Sequence, residues 1–194
     1  MSFRLGLFGG TFDPIHLGHL LVAEMARVLL RLDQVLFVPA RVPPHKDVVA
    51  TSPEHRYRMT SLATMSNPHF AVSDVELRRE GPSYTVDTLR HVRETSPPET
   101  EHYLLMGADS ARDLEKWKDS DVLLEESTVV VLDRPGVEQD LPARVRESAR
   151  LLPTPLLEIS STDIRRRVSA GESIRYLVLD PVESYIRSAG LYCS

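Results

Sequence analysis

The stretch GGTFDPIHLGH, residues 9–19, combines two adjacent glycines with two histidines three residues apart, His16 and His19. It follows the apolar segment FRLGLF and leads into apolar residues at helical spacing. Gly9 and Gly10 allow the backbone to approach a ligand closely. The free N–H groups at the start of the next helix attract anions, and two imidazoles on one helix face can reach phosphate oxygens. The stretch therefore indicates a site for an anionic, phosphorylated ligand.

Two simpler interpretations of this stretch stay open at this point. Histidines three residues apart can bind zinc, although the HExxH and CxxC patterns that usually accompany zinc are absent. A plain turn followed by two surface histidines would also explain the residue types. The choice between these interpretations depends on what the rest of the chain contains.

A second polar stretch, ISSTDIR at residues 159–165, combines three hydroxyl side chains with an arginine. Ser160, Ser161 and Thr162 precede a helical pattern, where hydroxyl groups normally cap free N–H groups. A simple helix cap is one interpretation. The other is a second phosphate contact, in which Arg165 reaches the β- or γ-phosphate while Arg166 and Arg167 are solvated or paired with acids.

Composition limits the class of protein. The 194 residues are 42% apolar and 26% charged, with a net charge of −5 and one cysteine, Cys193. Acidity argues against nucleic acid as a partner, and apolar runs are too short for a membrane span. The N-terminal apolar segment is too short for a signal peptide, so we expect a cytoplasmic protein that binds metabolites. The sequence leaves a homo-oligomer open.

Predicted strands and helices alternate along the whole chain, which favours one α/β domain with a doubly wound parallel sheet. Predicted helices cover residues 17–32, 53–66 and 85–94, a stretch after 107, and two C-terminal segments from 161 and 180. On the first helix, Leu20, Leu21, Met25, Val28 and Leu32 are expected on or near one face. The predicted strands are 3–8, 34–40, 70–77, 102–107, 127–136, which a turn closes, and 156–160.

The two polar stretches together resemble the paired signatures of the nucleotidyltransferase superfamily. ISSTDIR matches the second signature and lies about 140 residues after the first, in the expected order. The resemblance implies a Rossmann-like fold, a single domain over 1–194, and a C-terminal helical part from about 160 to 194. The first signature, GxFxPxHxGH in outline, is matched by Gly10, Phe12, Pro14, His16, Gly18 and His19.

The resemblance also implies an activity: direct in-line attack on the α-phosphate of a nucleoside triphosphate, with release of pyrophosphate. The protein then positions the substrates and stabilises charge, and Mg²⁺ is carried by the triphosphate rather than by a dedicated protein site. His16, His19 and Arg165 are the implied catalytic residues. The implied ATP-binding residues are Gly9, Gly10, Thr11, Phe12, Gly107, Asp109, Ile159, Ser160, Ser161 and Thr162.

Three internal motifs, PPHK (43–46), PSYTVDTL (82–89) and GADSARDLEKW (107–117), are similar to those of bacterial nicotinate mononucleotide adenylyltransferases. Lys46 on a proline-stiffened loop can meet a phosphate. Trp117 can stack on the cationic pyridinium ring, and the Thr85 turn can bond the nicotinate carboxylate. The expected substrates are therefore ATP and nicotinate mononucleotide. The implied acceptor-binding residues are Asp13, Lys46, Ser83, Tyr84, Thr85, Trp117 and Arg134.

Other interpretations accompany these assignments. Trp117 can be a core residue, Lys46 a solvated lysine and Asp109 a helix N-cap, while Asp13 can orient the acceptor or hold its turn. Alternative activities are a nicotinamide mononucleotide-preferring enzyme and a phosphopantetheine adenylyltransferase. A non-catalytic nucleotide sensor is the alternative from a different class, although both phosphate-clamping histidines are present.

Overall fold

The computed structural model describes residues 2–44, 49–133, 141–155 and 157–193. Their centre is a six-stranded sheet in the order β3-β2-β1-β4-β5-β6, and every neighbouring pair of strands is parallel. The predicted doubly wound α/β fold is confirmed. The strands are β1 (Arg4–Gly10), β2 (Gln34–Pro39), β3 (Phe70–Val72), β4 (Glu101–Gly107), β5 (Thr128–Asp133) and β6 (Arg150–Pro153).

Helices connect the strands, with one short 3-10 turn at Leu114–Lys116. None of the helices in the described part of the chain is long and apolar enough to cross a membrane. The helices are α1 (Leu17–Leu30), α2 (Pro53–Thr64), α3 (Val75–Arg78), α4 (Thr85–Thr95), α5 (Ala108–Arg112), α6 (Ser120–Glu126), α7 (Ala143–Ser148), α8 (Ser161–Ser169) and α9 (Asp180–Ser188).

Two hydrophobic clusters cover the two faces of the sheet. Along β4, Leu104 and Met106 belong to one cluster while Tyr103 and Leu105 belong to the other, as the two-residue period of a strand requires. Helices α1, α2, α8 and α9 supply the first cluster, and α4 to α7 supply the second. Because both faces are buried, the strands are continuous apolar runs, which is the pattern that made them predictable.

The prediction of a last strand at 156–160 is wrong. The strand that completes the sheet is β6, in which Arg150 pairs with Val130 and Pro153 pairs with Asp133 of β5. Residues 157–160 have no regular secondary structure and lead into α8. Pro153 and Pro155 have no N–H for a sheet ladder, so the strand ends between the two leucine pairs of this segment.

The predicted strand 70–77 is also too long. Only Phe70–Val72 pair with β2. The Ser73 hydroxyl then accepts a hydrogen bond from the N–H of Val75 at 3.2 Å, and the short helix α3 begins there. A serine that bonds a nearby backbone N–H competes with strand pairing, which explains the early end of β3.

The predicted apolar face of α1 is only partly correct. Ala23 and Ala26 are the buried positions of this helix, and Val28 is 55% exposed. Val28 lies five positions after Ala23, which places it about 140° around the helix from the buried side. Small alanines let α1 approach the sheet closely, so the larger aliphatic residues do not define the buried face.

Candidate active site

A cavity of about 710 Å³ lies at the carboxyl ends of β1, β4 and β5. Its wall includes Phe8–Gly10 at the end of β1, Leu104–Gly107 at the end of β4, and Leu132 on β5. The strand order reverses between β1 and β4, and such a switch point is where parallel α/β sheets bind ligands. The volume is that of a site for a small organic ligand.

The GGTFDPIHLGH signature forms the turn from β1 into α1. Phe12 has a φ of 50°, and its ring is buried so close to Gly10 that a Cβ on Gly10 would lie 2.8 Å from it. A Cβ on Gly18 would lie 3.0 Å from Nδ1 of His16. The two glycines therefore make room for the signature's own aromatic and imidazole rings, a role that the sequence did not suggest for Gly18.

His16 and His19 form a stacked pair in the cavity wall. Their ring centroids are 3.7 Å apart with an interplanar angle of 26°, and Phe12 packs edge-on against His19 at 5.1 Å. Nδ1 of His19 accepts a hydrogen bond from the backbone N–H of His16 at 3.2 Å. A neutral His19 consequently carries its proton on Nε2, which is then a donor for a ligand.

Burial keeps His16 uncharged. The residue is 8% exposed, its Nδ1 atom has no hydrogen-bond partner, and burial lowers its pKa to about 4. At neutral pH His16 is therefore a neutral hydrogen-bond donor or acceptor and not a fixed cation. A triphosphate bound beside it would favour the charged ring, so the positive charge would form only with the ligand present.

The buried His16 predicts a loss of stability in acid. The unfolded chain binds a proton at this residue near pH 6.5, whereas the folded chain does so only near pH 4. The free energy of unfolding should therefore fall between pH 6.5 and 4, by about 3 kcal/mol for this residue. Urea denaturation of the wild type and His16→Gln across this range measures the effect. Parallel pH curves for the two proteins would contradict it.

The second signature packs directly on the first. The Ser160 hydroxyl caps α8 by accepting from the N–H of Asp163 at 3.1 Å. The Ser161 hydroxyl donates to the Pro14 carbonyl at 2.9 Å, and the Arg165 guanidinium donates to the Asp13 carbonyl at 2.7 Å. Two stretches almost 150 residues apart in sequence thus form one unit beside the cavity.

The three arginines of α8 have different environments. Arg165 is half-buried and also donates to the Thr162 hydroxyl at 3.3 Å. Arg166 and Arg167 form ion pairs with Asp163 at 2.8 and 2.6 Å, and both have a second partner in Glu172. The expectation that these two are solvated or paired with acids agrees with these contacts. The Arg165 guanidinium instead contacts the signature turn, and its contact with a phosphate stays a prediction.

The carboxylate of Asp13 holds the signature turn rather than facing the cavity. It is 4% exposed and accepts hydrogen bonds from the N–H of Ala50 at 2.8 Å and the hydroxyl of Thr51 at 2.7 Å. The Tyr192 hydroxyl donates to it at 2.7 Å, and burial raises the pKa of this tyrosine. Of the two roles open for Asp13, the geometry favours holding the turn.

Ser83, Tyr84 and Thr85 form a second part of the wall at the start of α4. Tyr84 is the N-cap of this helix, so the first N–H groups of α4 have no partner within the helix. The buried Ser83 hydroxyl accepts from the N–H groups of Arg41 and Val42 at 2.9 and 3.3 Å. Ser83 therefore fixes the loop at 41–42, while the start of α4 offers donors for an anion.

Trp117 and Asp109 lie in the segment that follows β4. Trp117 is half-buried, lines the cavity and also packs against a hydrophobic cluster, so the core and ligand interpretations both describe part of it. Asp109 is exposed and forms an ion pair with Arg112 at 2.7 Å. The N-cap of α5 is Gly107, so the N-cap interpretation of Asp109 is wrong.

The cavity brings most of the predicted residues together. Asp13, Ser160, Ser161, Thr162 and Arg165 are described but lie outside its wall. Lys46 and Arg134 lie outside the described residues. The predicted residues in the wall are Gly9, Gly10, Thr11, Phe12, His16, His19, Ser83, Tyr84, Thr85, Gly107, Asp109, Trp117 and Ile159.

Sequence reasoning missed three charged residues at the site. Glu76 is a buried carboxylate in the wall, with its pKa raised by burial, and it accepts from the Thr88 hydroxyl at 2.6 Å. Lys118 also lines the cavity, and it directly follows the last residue of the motif GADSARDLEKW. Arg56 lies behind the wall, buried on α2, and its hydrogen-bond acceptors among the described residues are backbone carbonyls, a role that no local pattern reveals.

The described residues contain no group of three or more histidine, cysteine or acidic side chains arranged to hold a metal ion. The cavity wall instead offers glycine backbone, imidazole rings, a helix start and basic side chains. These groups suit phosphate and carboxylate ligands.

Comparison with known proteins identifies the family. The profile of the cytidylyltransferase-like family matches residues 7–167. A Thermus thermophilus protein named as a probable nicotinate-nucleotide adenylyltransferase is 51% identical over 190 residues, which cover 97% of this chain and 99% of the relative. A Moorella thermoacetica protein with the same name is 48% identical over 198 residues, covering 97% of this chain and 91% of the relative.

Solved structures share the fold at low identity. The Plasmodium falciparum nicotinic acid mononucleotide adenylyltransferase complexed with NaAD has a TM-score of 0.80 and 22% identity, and the match covers 98% of both chains. The same enzyme complexed with APC has a TM-score of 0.79. The profile match and the two relatives show that the chain belongs to the nicotinate-nucleotide adenylyltransferases of the cytidylyltransferase-like family.

Proposed function

We propose that this protein transfers the adenylyl group of ATP to nicotinate mononucleotide and forms deamido-NAD and pyrophosphate in NAD biosynthesis. One geometric observation supports the proposal: the two signatures pack against each other beside a cavity at the switch point of the sheet. The names of the relatives, at 48 and 51% identity over nearly the whole chain, supply the reaction.

The chemistry is a single in-line displacement. A phosphate oxygen of the acceptor forms a bond to the α-phosphorus of ATP while the bond from that phosphorus to the oxygen bridging to the β-phosphate breaks. The bridging oxygen leaves as part of pyrophosphate with the electron pair of the broken bond. No protein group forms a covalent bond, so positioning and charge stabilisation are the contributions of the protein.

In this proposal the histidine pair and the start of α1 stabilise the triphosphate. Nε2–H of His19 is a donor from a fixed tautomer, and buried neutral His16 lies against the same helix start. A donor that is already oriented needs no reorganisation during the reaction, which is why such groups lower the barrier effectively. Arg165 adds a guanidinium charge for the β- or γ-phosphate in this proposal.

The acceptor occupies the side of the cavity formed by the start of α4 and by Trp117. The pyridinium ring stacks on the indole, and the nicotinate carboxylate faces the first N–H groups of α4, which begin at Thr85. Lys46 and Arg134 complete the acceptor phosphate site. Gly107 and Asp109 contact the ribose of ATP, and Gly9 to Phe12 form the floor beneath the nucleotide.

Magnesium enters with ATP in this proposal. It is coordinated by phosphate oxygens and water, which is its usual arrangement with nucleotide substrates. The proposal includes a cytoplasmic location, as expected from the sequence.

Pyrophosphate release by the purified protein tests the proposal. The protein receives Mg²⁺ and ATP with nicotinate mononucleotide, nicotinamide mononucleotide or phosphopantetheine in parallel. We expect strong turnover with the nicotinate acceptor and weak turnover with the other two. Equal turnover of acid and amide would retain the reaction and overturn the specificity, and nucleotide binding without any pyrophosphate release would indicate the sensor.

A further inference from the structure

The cavity wall contains a lysine that contacts the start of α4, the acceptor side in the proposed function. Lys118 directly follows Trp117, and both residues line the cavity. The Lys118 ammonium lies over the Tyr84 ring at 4.9 Å from its centroid. It also contacts the two carboxylate oxygens of Asp87 at 3.1 and 3.0 Å. Tyr84 and Asp87 belong to the N-cap and first turn of α4, so this helix start fixes where the ammonium lies.

The other basic side chains in the described part of the wall are held differently. Arg112 pairs with Asp109 at 2.7 Å, and Lys116 pairs with Asp113 at 2.6 Å. In both pairs the partner is three residues earlier in the same segment. Lys118 reaches across 31 residues of sequence to α4. Its charge is therefore placed by tertiary structure, against the Tyr84 ring and the first turn of α4.

The contacts of Lys118 are weak enough that its ammonium can also bind a ligand anion. Its side chain is 42% exposed, and the Asp87 side chain is 28% exposed. Asp87 also has a second cation nearby, because Arg90 lies 3.7 Å from it and 3.2 Å from Asp119. Ion pairs with this exposure are weak. An ammonium has three donors, so Lys118 can contact a ligand anion while it stays near Asp87.

We propose that Lys118 is a specificity-determining residue that favours the carboxylate of the acceptor over the corresponding carboxamide. The inference rests on the proposed function. The two acceptors have nearly the same shape and differ mainly in charge, so ring stacking on Trp117 cannot separate them. A neighbouring cation attracts the carboxylate and gains little from the neutral amide. Asp87 and Tyr84 are positioning residues, because they act by holding the ammonium.

The test compares Lys118→Met with the matched variant Lys116→Met, and kcat/KM is measured for both acceptors. In Lys118→Met we expect kcat/KM for nicotinate mononucleotide to fall roughly tenfold, mainly through KM, as for a lost charge-assisted hydrogen bond at a partly exposed site. The value for nicotinamide mononucleotide should change less than about twofold. Lys116→Met should leave the acid-to-amide ratio unchanged, whatever its effect on kcat.

Ionic strength provides a second readout that a structural role would not produce. In the wild type, raising the salt concentration should reduce the acid-to-amide ratio, because salt screens a partly exposed charge. In Lys118→Met the ratio should be independent of salt. Lys118→Arg, which retains a cation, should retain most of the preference.

The outcomes separate this inference from the proposed function. No turnover of nicotinate mononucleotide by the wild type would overturn the proposed function itself. A selective wild type whose preference survives in Lys118→Met would overturn only the role of Lys118. If kcat/KM fell equally for both acceptors in Lys118→Met, with an unchanged melting temperature, the side chain would shape the site without distinguishing the charge of the acceptor. That result would also overturn the proposed role.

Discussion

A His19→Ala variant should release pyrophosphate with kcat lowered by roughly 10²–10³-fold, the loss typical of one pre-oriented donor at a site of developing charge. The reason lies in the tautomer. The backbone N–H of His16 donates to Nδ1 of His19, so under the proposed function Nε2–H is the group that donates to the triphosphate. Alanine removes this donor and also leaves the His16 N–H without its acceptor. Steady-state kinetics with ATP and nicotinate mononucleotide measures the change.

The matched control for this variant is His91→Ala, because His91 is an exposed histidine on α4 that does not line the cavity. Its kcat should stay within about twofold of the wild type, as for a typical surface substitution. Circular dichroism and melting temperature show whether each variant folds. A folded His19→Ala protein with near wild-type kcat would remove His19 from the mechanism and leave His16, Arg165 and the start of α1 as the stabilising groups.

The sheet was largely predictable because its strands are buried on both faces. Continuous apolar runs such as 102–107 can be recognised without knowing their neighbours. The segment 150–160 could not be assigned in this way, because it contains two leucine pairs, 151–152 and 156–157, separated by prolines. Local pattern favoured 156–160, whereas pairing with β5 selected Arg150–Pro153. The partner strand decides such a case, and it lies 20 residues away in sequence.

In the candidate site, too, residues in contiguous motifs were predictable and residues that act through distant contacts were not. The two signatures and the motifs around Tyr84 and Trp117 contain most residues of the cavity wall. They could be recognised because each is a contiguous set of residue types at fixed spacing. Tyr192 and Arg56 were not visible. Tyr192 acts 179 residues away from its partner, Asp13, and Arg56 bonds backbone carbonyls that any residue type could supply.

Arg56 connects the site to the stability of the whole fold. The residue is 1% exposed, and its guanidinium donates to the carbonyls of Thr11 at 2.9 Å and Arg41 at 3.1 Å. The carbonyls of Thr51 and Ala40 are also acceptors of this group. Burial lowers the pKa of Arg56, and the nearby carboxylate of Asp13 opposes that shift. One side chain thus joins the signature turn to the segments on both sides of 45–48.

Arg56→Leu should reduce the free energy of unfolding by about 3–5 kcal/mol, the range for removing one member of a buried charged network. Leucine leaves the four carbonyls without this donor and the buried Asp13 carboxylate without a neighbouring cation. Urea denaturation measures the change. Arg58→Leu on the same helix is the matched control, because Arg58 is exposed and its loss should change stability by less than about 0.5 kcal/mol.

Arg56→Lys separates charge from geometry if the leucine variant does not fold. An ammonium retains the positive charge near Asp13, but its three donors cannot span four carbonyls that a planar guanidinium reaches at once. We therefore expect a stability between those of the wild type and Arg56→Leu. The Arg41 carbonyl that Arg56 bonds belongs to the loop that Ser83 holds beside the start of α4. Under the proposed function the KM for the acceptor should therefore rise in the lysine variant while its kcat changes less. Stability within about 1 kcal/mol of the wild type in both variants would mean that backbone packing alone, without the buried guanidinium network, holds the signature turn in place.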